Sequence, residues 1–444
     1  MDALQQALEM LEKYCLCDNC LGRQYALLGY GIENSTRGHA LKLTLTLQAS
    51  ALAIAKEPAG VKTLKLLAAH GFSQEAERTL HHLKKRLPKA ERAQCFLCGD
   101  KLQNVNALVQ KALTQLAHHE YATFLVGIEL PTTVEEREDE FKAAFEVGYS
   151  ESMKHEFGRL LGKAIEAQAG KTVEYGKPDI MVIFNPFTER IRLQVNPLFV
   201  AGRYRKLVRD LPQSKWFCPD CRGKGCEKCG GTGKLYPESV EELVSKPFLD
   251  AAEGEKTAFH ASGREDIDAR MLGNGRPFVV EISKPKKRSI DLKQLKAVIN
   301  EAAKGKVKIS RLRFTSREKV RKLKKSESAQ KEYRALVCFE KEISDADLKL
   351  LEEKLNGAMI KQQTPRRVLH RRADLTRERY IYKLKVKKVS PKEAELHVRT
   401  QGGLYVKELV SGDEGRTAPS VSELLKNPAK TLKLDVLNVI MEDS

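Results

Sequence analysis

The sequence predicts an α+β protein whose second half forms one large, mostly antiparallel sheet. From about Tyr236 onward, short apolar runs typical of strands alternate with segments of helical periodicity. The sequence contains no Gly-rich strand-to-helix loop of the kind that opens a dinucleotide- or methyl-donor-binding domain. A chain of 444 residues is long enough for two or three domains, each burying its own core.

The N-terminal segment predicts an amphipathic helix rather than a targeting signal. Leu4, Leu8 and Leu11 recur at helical spacing in an acidic stretch, which is unlike the basic start and apolar centre of a signal peptide. The most apolar run, Leu41 to Ala55, is interrupted by polar residues and is too short to cross a bilayer. We therefore expect a cytoplasmic protein.

From about Ala107 the pattern mixes strands and helices. We expect a charged helix near residues 135–140, a second helix near 151–170, and strands at Thr123–Leu130, Pro178–Asn185 and Arg190–Val195. A basic stretch follows, in which Arg203, Tyr204, Arg205 and Lys206 suit phosphate contact with one stacking ring. The alternative is a basic patch on an edge strand.

The second half predicts helices and strands in alternation. Helices are expected at Val240–Leu249, Asp291–Ala303 and Asp345–Gly357. Strands are expected at Pro277–Ser283, Val307–Phe314, Tyr333–Phe339, Tyr380–Val389, Leu396–Arg399 and Leu432–Ile440.

Eight of the ten cysteines fall in Cys-x-x-Cys pairs, a spacing typical of intracellular metal sites. Cys218, Cys221, Cys226 and Cys229 lie within twelve residues among glycines and predict a structural Zn²⁺ site with four thiolate ligands. Two further pairs, Cys17/Cys20 and Cys95/Cys98, are far apart, so spacing alone leaves their pairing open. Cys15 is expected to be packed rather than ligating.

The charge distribution predicts a polyanionic partner. The chain carries a formal net charge of +19. Residues Lys284 to Lys325 contribute seventeen Lys/Arg and three acidic residues, a net of +14. This density exceeds that of an ordinary solvated face and favours contact with nucleic acid.

The segment from Ala261 to Ile282 carries the pattern most suited to catalysis. It reads ASGREDIDARMLGNGRPFVVEI, with carboxylates between arginines on a glycine-shaped loop that leads into an apolar strand. An adjacent cation lowers the pKa of a carboxyl group and holds it ionised, which suits a nucleophile or a base. A surface salt-bridge loop is the alternative that these residues alone leave open.

Several motifs together resemble the THUMP-bearing tRNA pseudouridine synthases of archaea and eukaryotes, the tenth family of that enzyme class. The similar residues run Gly263-Arg264-Glu265-Asp266, then Asp268-Ala269-Arg270, then Gly273-Asn274-Gly275-Arg276-Pro277. The resemblance extends to the basic stretch Asn196–Leu207, to residues 402–408 and to Gly412–Ser420. It also includes Cys17, Cys20 and the distant second pair, which favours one zinc site built from both.

The resemblance implies three domains and an isomerase activity. Residues 1–210 would form a zinc-binding, THUMP-like RNA-binding domain, 211–235 a Cys₄ zinc connector, and 236–444 the catalytic domain. The enzyme would convert uridine to pseudouridine in the T-arm of tRNA, at position 55 with position 54 as a second candidate. It would need no organic cofactor and no obligatory protein partner, and would act as a monomer.

The resemblance also assigns roles to residues. Asp266 would be the catalytic carboxylate, Tyr333 would stack on the uracil, and Val406 and Leu434 would form apolar walls. Lys407 would pair with Asp266, with Arg416 as the alternative partner, and Arg264 would fill the stack vacated by the flipped base. Phosphate contacts are expected from a further basic motif, Arg366, Arg367, Arg371 and Arg372. Tyr380 competes with Tyr333, and a non-catalytic zinc-stabilised RNA-binding protein is the alternative function.

Overall fold

The computed structural model describes residues 2–87, 93–325 and 329–440, without the side chains of Lys325 and Arg371. The chain divides into two compact units, Met1–Asn196 and Pro197–Ser444.

The first unit combines a helical part with a small sheet. Its helices are α1 (Ala3–Lys13), α2 (Asp18–Gly22), α3 (Asn34–Ile54), α4 (Pro58–Ala69), α5 (Gln74–His82), α6 (Val105–Leu116), α7 (Thr132–Ala144) and α8 (Met153–Ala169). Its strands are β1 (Thr123–Ile128), β2 (Thr172–Val173), β3 (Ile180–Asn185) and β4 (Arg190–Val195). The strands lie in the order β2-β1-β3-β4, with only the β3–β4 pair antiparallel among the described residues.

Local sequence explains the limits of α8 and its packing. The Ser152 side chain accepts a hydrogen bond from the His155 backbone N–H at the helix start, and Gly170 ends the helix at φ 61°. Phe157 on α8 and Phe124 on β1 are fully buried in the same core. Helix α8 thus covers the sheet of the first unit with its apolar face.

The second unit holds one large sheet. Its helices are α9 (Val240–Ala252), α10 (Leu292–Ala302), α11 (Arg317–Lys325), α12 (Asp345–Leu355), α13 (Val406–Ser411) and α14 (Val421–Leu425). Its strands are β5 (Leu198–Lys206), β6 (Lys256–Ala261), β7 (Arg270–Ser283), β8 (Val307–Thr315), β9 (Gln330–Phe339), β10 (Met359–Gln363), β11 (Thr376–Ser390), β12 (Glu393–Thr400), β13 (Thr417–Ala418) and β14 (Ala429–Ile440).

The sheet of the second unit is mostly antiparallel, as predicted. Its strands lie in the order β13-β10-β11-β12-β9-β14-β7-β5-β8, and β6 also pairs with β7. Within the described residues only β7 and β14 run parallel. Strand β5 belongs to this sheet because it pairs with both β7 and β8. The first unit therefore ends at Asn196, whereas the sequence analysis placed the end of the first domain at residue 210.

Strand β7 is buried on both faces from Arg276 to Val280, which explains why Phe278, Val279 and Val280 are all apolar. Phe278, Val280 and Ile282 join the main core, while Val279 faces the opposite side. There Val279 packs in a small cluster with Phe199, Ala201, Val320 and Leu323. The basic helix α11 is thus fixed on the β5–β7 face by its two apolar residues, and its cations Arg317, Arg321, Lys322 and Lys324 are exposed.

Among the residues that the structure describes, no helix has the length and apolar character needed to cross a membrane.

Two glycines let α2 and α3 cross with their backbones in contact. A Cβ on Gly22 would lie 1.8 Å from the carbonyl oxygen of Asn34, and one on Gly38 would lie 2.0 Å from that of Asp18. Neither approach leaves room for a methyl group, since both neighbours are backbone atoms. The crossing holds the segment that contains Cys17 and Cys20.

We expect Gly38→Ala to destabilise the protein although alanine favours helix by about 1 kcal/mol. Displacing a packed backbone should cost about 1–3 kcal/mol, seen as an earlier urea-unfolding transition by circular dichroism. The matched control is Gly162→Ala inside α8, where a Cβ meets nothing within 4 Å. Gly162→Ala should be as stable as the wild type or more stable. Equal losses of stability in Gly38→Ala and Gly162→Ala would contradict the packing argument.

Candidate active site

The loop between β6 and β7 places Asp266 in a cleft of about 590 Å³ in the second unit. The loop spans residues 262–269 and is shorter than the sequence predicted, because β7 already begins at Arg270. Tyr333, Val406, Lys407, Leu434 and Arg264 also line this cleft. Six residues to which the resemblance gave roles at the reacting base therefore meet in one place.

Asp266 is held between two cations. Its Oδ2 lies 3.1 Å from Arg367 Nη1 and 3.4 Å from Lys407 Nζ. Burial of Asp266 opposes its ionisation, but Arg367 and Lys407 outweigh burial and keep the pKa of the carboxyl below its usual value. The aspartate is therefore an ionised, oriented carboxylate at neutral pH.

Arg367, for which a phosphate contact was predicted, contacts the carboxylates of the site itself. Besides Asp266, it binds Glu408, with 2.6 Å between Arg367 Nε and Glu408 Oε1. Its guanidinium also lies 5.8 Å from the centre of the Tyr405 ring. Arg367 therefore orients Asp266 through contacts within the site, and its side chain is still 36% exposed, so the predicted phosphate contact stays a proposal.

Arg416 is not the partner of Asp266, which corrects the alternative assignment. Its guanidinium pairs with Asp374 and donates to the Thr364 carbonyl at 2.9 Å. Arg416 Nε also lies 3.9 Å from a carboxylate oxygen of Asp413. The residue thus ties β13 to the segment that carries Arg367.

One wall of the cleft is apolar. Tyr333, Val406 and Leu434 are all at most 9% exposed and contribute to its wall. Burial, assisted by the Asp266 charge, raises the pKa of Tyr333 to about 12, so its hydroxyl keeps its proton at neutral pH. The competing Tyr380 packs edge-on against Tyr382, with 5.1 Å between ring centres.

The basic stretch on β5 lies largely beneath the cleft, which corrects two predicted RNA contacts. Tyr204 and Lys206 are fully buried. Arg203 is half-buried and donates from Nη2 to the carbonyls of Gly275 and Val439, each at 2.9 Å. Arg203 and Arg205, which are both half-buried, keep the predicted role as open proposals.

The remaining predicted RNA contacts lie on the short helix Arg366–Arg371 and just after it. Arg366 pairs with Glu414 and is exposed. Arg372 lines the cleft and donates to the Tyr405 hydroxyl at 2.8 Å. The Arg371 side chain lies outside the described part of the structure.

A buried carboxylate below the apolar wall was missed by the sequence analysis. Asp435 on β14 binds Arg209, Arg270 and Arg334, at 2.7, 2.8 and 2.9 Å respectively. Burial opposes ionisation, but Arg270 and Arg334 lower the pKa of Asp435 to about 2. A charged residue inside the apolar strand Leu434-Asp435-Val436 was the signal for a buried ion pair.

The structure brings both predicted groups of cysteines together. Ligand atoms of Cys17, Cys20, Cys95 and Cys98 lie within 4.8 Å of one another, as do those of Cys218, Cys221, Cys226 and Cys229. Backbone N–H groups of Cys17 and Gly233 donate to the sulfurs of Cys95 and Cys229, at 3.3 and 3.2 Å. Four sulfurs supported by such donors fit a tetrahedral metal ion that prefers thiolates.

Comparison with known families gives matches to both units. The family model described as "Pus10, C-terminal" matches residues 199–440, and that described as "Pus10 THUMP domain, archaeal" matches residues 108–185.

Curated relatives match over nearly the whole chain. The chain is 45% identical to the tRNA pseudouridine synthase Pus10 of Methanocaldococcus jannaschii over 97% of its length and 93% of the relative's. Identity to the Pus10 protein of Thermofilum pendens is 40%, over 97% and 94%. Identity to that of Methanothrix thermoacetophila is 38%, over 99% and 94%. The chain therefore belongs to the Pus10 family of tRNA pseudouridine synthases.

Proposed function

We propose that this protein isomerises uridine to pseudouridine in the T-arm of tRNA, at position 55 with position 54 as a second candidate, and that Asp266 is its catalytic carboxylate. The observation that carries the proposal is the position of Asp266. It lies between Arg367 and Lys407 in a cleft whose other wall contains Tyr333, Val406 and Leu434. A non-catalytic RNA-binding protein has no need of this arrangement.

The reaction breaks the N1–C1′ bond, turns the uracil, and joins C5 to C1′. C5 loses its proton and N1 gains one, so the net change is an isomerisation without oxidant or reductant. The ionised Asp266 supplies the carboxylate that acts on the ribose or the base. In this proposal Tyr333 stacks on the uracil, and the buried Val406 and Leu434 exclude water from its edges.

Cations around the cleft suit the phosphates of the substrate. Lys324, Lys331, Arg372, Arg377 and Arg379 all contribute to the lining. Extruding a paired base costs about a few kcal/mol, and in this proposal Arg264, which lines the cleft, occupies the vacated stack.

Helix α11 connects the most basic segment of the sequence to the cleft. Its Leu323 and Lys324 are lining residues, while Arg317, Arg321 and Lys322 point to solvent. We infer that the tRNA backbone passes over this helix. The match of residues 108–185 to a THUMP domain supports a second area of RNA contact in the first unit.

Both cysteine groups are proposed to hold Zn²⁺ with a structural role. Four cysteines at each site complete a tetrahedral shell, which leaves no position for a reacting water. Bound zinc supplies a cross-link between the chain segments that carry its ligands. The group formed by Cys17, Cys20, Cys95 and Cys98 joins the α2 region to a segment far along the first unit.

Changing Asp266 to asparagine tests the catalytic assignment. With an unmodified tRNA transcript tritiated at uracil C5, we expect wild-type protein to release tritium and Asp266→Asn to release none. The side chains are nearly isosteric, so tRNA affinity, measured by filter binding, should be equal. Transcripts with cytidine at position 54 or 55 then show which uridine is the substrate.

Tritium release by both proteins would remove Asp266 from the chemistry. Release by neither, with tight tRNA binding, would favour the RNA-binding function without catalysis.

Replacing Arg367 tests how Asp266 is kept ionised. Because Arg367 helps to lower the pKa of Asp266, Arg367→Met should raise that pKa. As the pH falls, the variant should therefore lose single-turnover activity at a higher pH than wild type. The measurement is the acidic limb of the pH–rate profile at saturating tRNA.

The control is the neighbouring Arg366→Met, whose side chain pairs with Glu414 instead. It should weaken tRNA binding and leave the acidic limb in place. If wild type and Arg367→Met have identical acidic limbs in their pH–rate profiles, Arg367 does not set the ionisation of Asp266.

Metal analysis tests the zinc proposal. We expect about two zinc ions per chain by inductively coupled plasma mass spectrometry, one for each Cys₄ group. Cys98→Ser and Cys226→Ser should each lose one. Cys15→Ser, which removes a thiol outside both groups, should lose none; a loss there equal to that in Cys98→Ser would reassign the first ligand set.

A further inference from the structure

A buried lysine lies directly beneath the catalytic loop. Lys206 is fully buried at the end of β5. Its Nζ donates to the carbonyl oxygens of Leu211, Asp266 and Ile267, at 2.8, 3.2 and 2.9 Å. An ammonium group has three N–H donors, so these three acceptors match its full capacity.

The loop is held at its other end by different groups. Arg276 Nη1 donates to the Ser262 carbonyl at 2.7 Å, and Gln213 donates to the Gly263 carbonyl at 3.0 Å. Arg276 is itself fixed by Glu265, with 2.8 Å between Nε and Oε2. Lys206 is thus a side chain that holds the main chain at Asp266 and Ile267, whose carbonyls also accept the backbone N–H groups of Ala269 and Asp210 at 3.0 and 2.9 Å.

Stability alone does not account for a charged group at this position. Burying an ammonium costs free energy, and apolar replacements of similar size often stabilise a protein. Burial lowers the pKa of Lys206 to about 8; Arg276 acts in the same direction, while Glu265, Asp268 and Asp210 oppose it. The lysine therefore keeps its proton at neutral pH but is close to losing it.

We propose that Lys206 is a positioning residue, whose ammonium fixes the backbone at Asp266 and so aims the carboxylate between Arg367 and Lys407. The inference rests on the proposed catalytic role of Asp266. Main-chain freedom at Asp266 would move the carboxylate relative to the ribose, and a displacement of about 1 Å can cost about a hundredfold in rate. Lys206 touches no substrate.

The test is Lys206→Met in the full-length protein, with tritium release measured in single turnover at saturating tRNA. We expect the rate to fall by about tenfold to a hundredfold while the Kd for tRNA is unchanged. Lys388→Met is the control, because its Nζ also donates to a carbonyl, that of Ile343 at 2.6 Å, and it does not line the cleft. The control should react at the wild-type rate.

A pH profile separates positioning from a general loss of stability. The wild-type rate should fall as the pH rises through about 8, because neutral Lys206 has two donors for three carbonyls. Its folded-state pKa is below the ordinary 10.5, so this group adds stability as the pH rises between the two values. The fall in rate should therefore occur without unfolding and be absent in Lys206→Met.

Two results would overturn the inference. The first is that Lys206→Met has the wild-type rate and the wild-type pH–rate profile while Asp266→Asn is inactive. That result would leave the proposed function intact. The other is a wild-type rate that does not fall between about pH 7 and pH 9, a measurement that needs no variant to fold. Full activity of Asp266→Asn would instead overturn the proposed function, and this inference with it.

Discussion

The site depends on one ionic contact between segments that are far apart in sequence. Asp266 on the β6–β7 loop meets Arg367, which in turn binds Glu408 at the start of α13. Glu408 is only 5% exposed, so this chain of charges is partly removed from water, where ion pairs are stronger and unpaired charges are costly. Removing Arg367 would take away the ion-pair partner of Glu408, whereas Asp266 would keep Lys407. The arrangement therefore fixes three segments at once around the reacting base.

The sheet brings these segments together. Strands β7, β14 and β9 are neighbours, so the Asp266 loop, Leu434 and Tyr333 converge at one position. Across β14 and β9, Leu434 lies opposite Ala335 and Val436 opposite Tyr333. Asp435, between them in sequence, points to the other face and binds arginines from β7 and β9. One face of these strands forms the apolar wall, and the opposite face carries an ion-pair cluster that fixes their register.

Much of this could be predicted from the sequence, and the errors have identifiable physical causes. Apolar runs located the strands, and the family motifs identified Asp266, Tyr333 and Lys407. The partner role of Arg367 could not be predicted, because its contact with Asp266 depends on the tertiary fold. Tyr204 and Lys206 were assigned to RNA since basic and hydroxyl groups are usually exposed. Alternation along β5 was the overlooked signal: Val200, Tyr204 and Lys206 lie on the same, buried face.

The buried polar groups below the loop point to a site that is formed before the substrate arrives. Glu265, Arg276 and Tyr204 satisfy one another, with 3.0 Å between the Tyr204 hydroxyl and Glu265 Oε2. Such a network contributes little net stability but permits few alternative arrangements. In contrast, on the proposed role of Asp266, the uridine has to leave its stack in the folded tRNA to reach this carboxylate. We therefore expect the conformational change to occur mainly in the RNA, with binding energy aligning the ribose with a carboxylate that the buried network already holds in place.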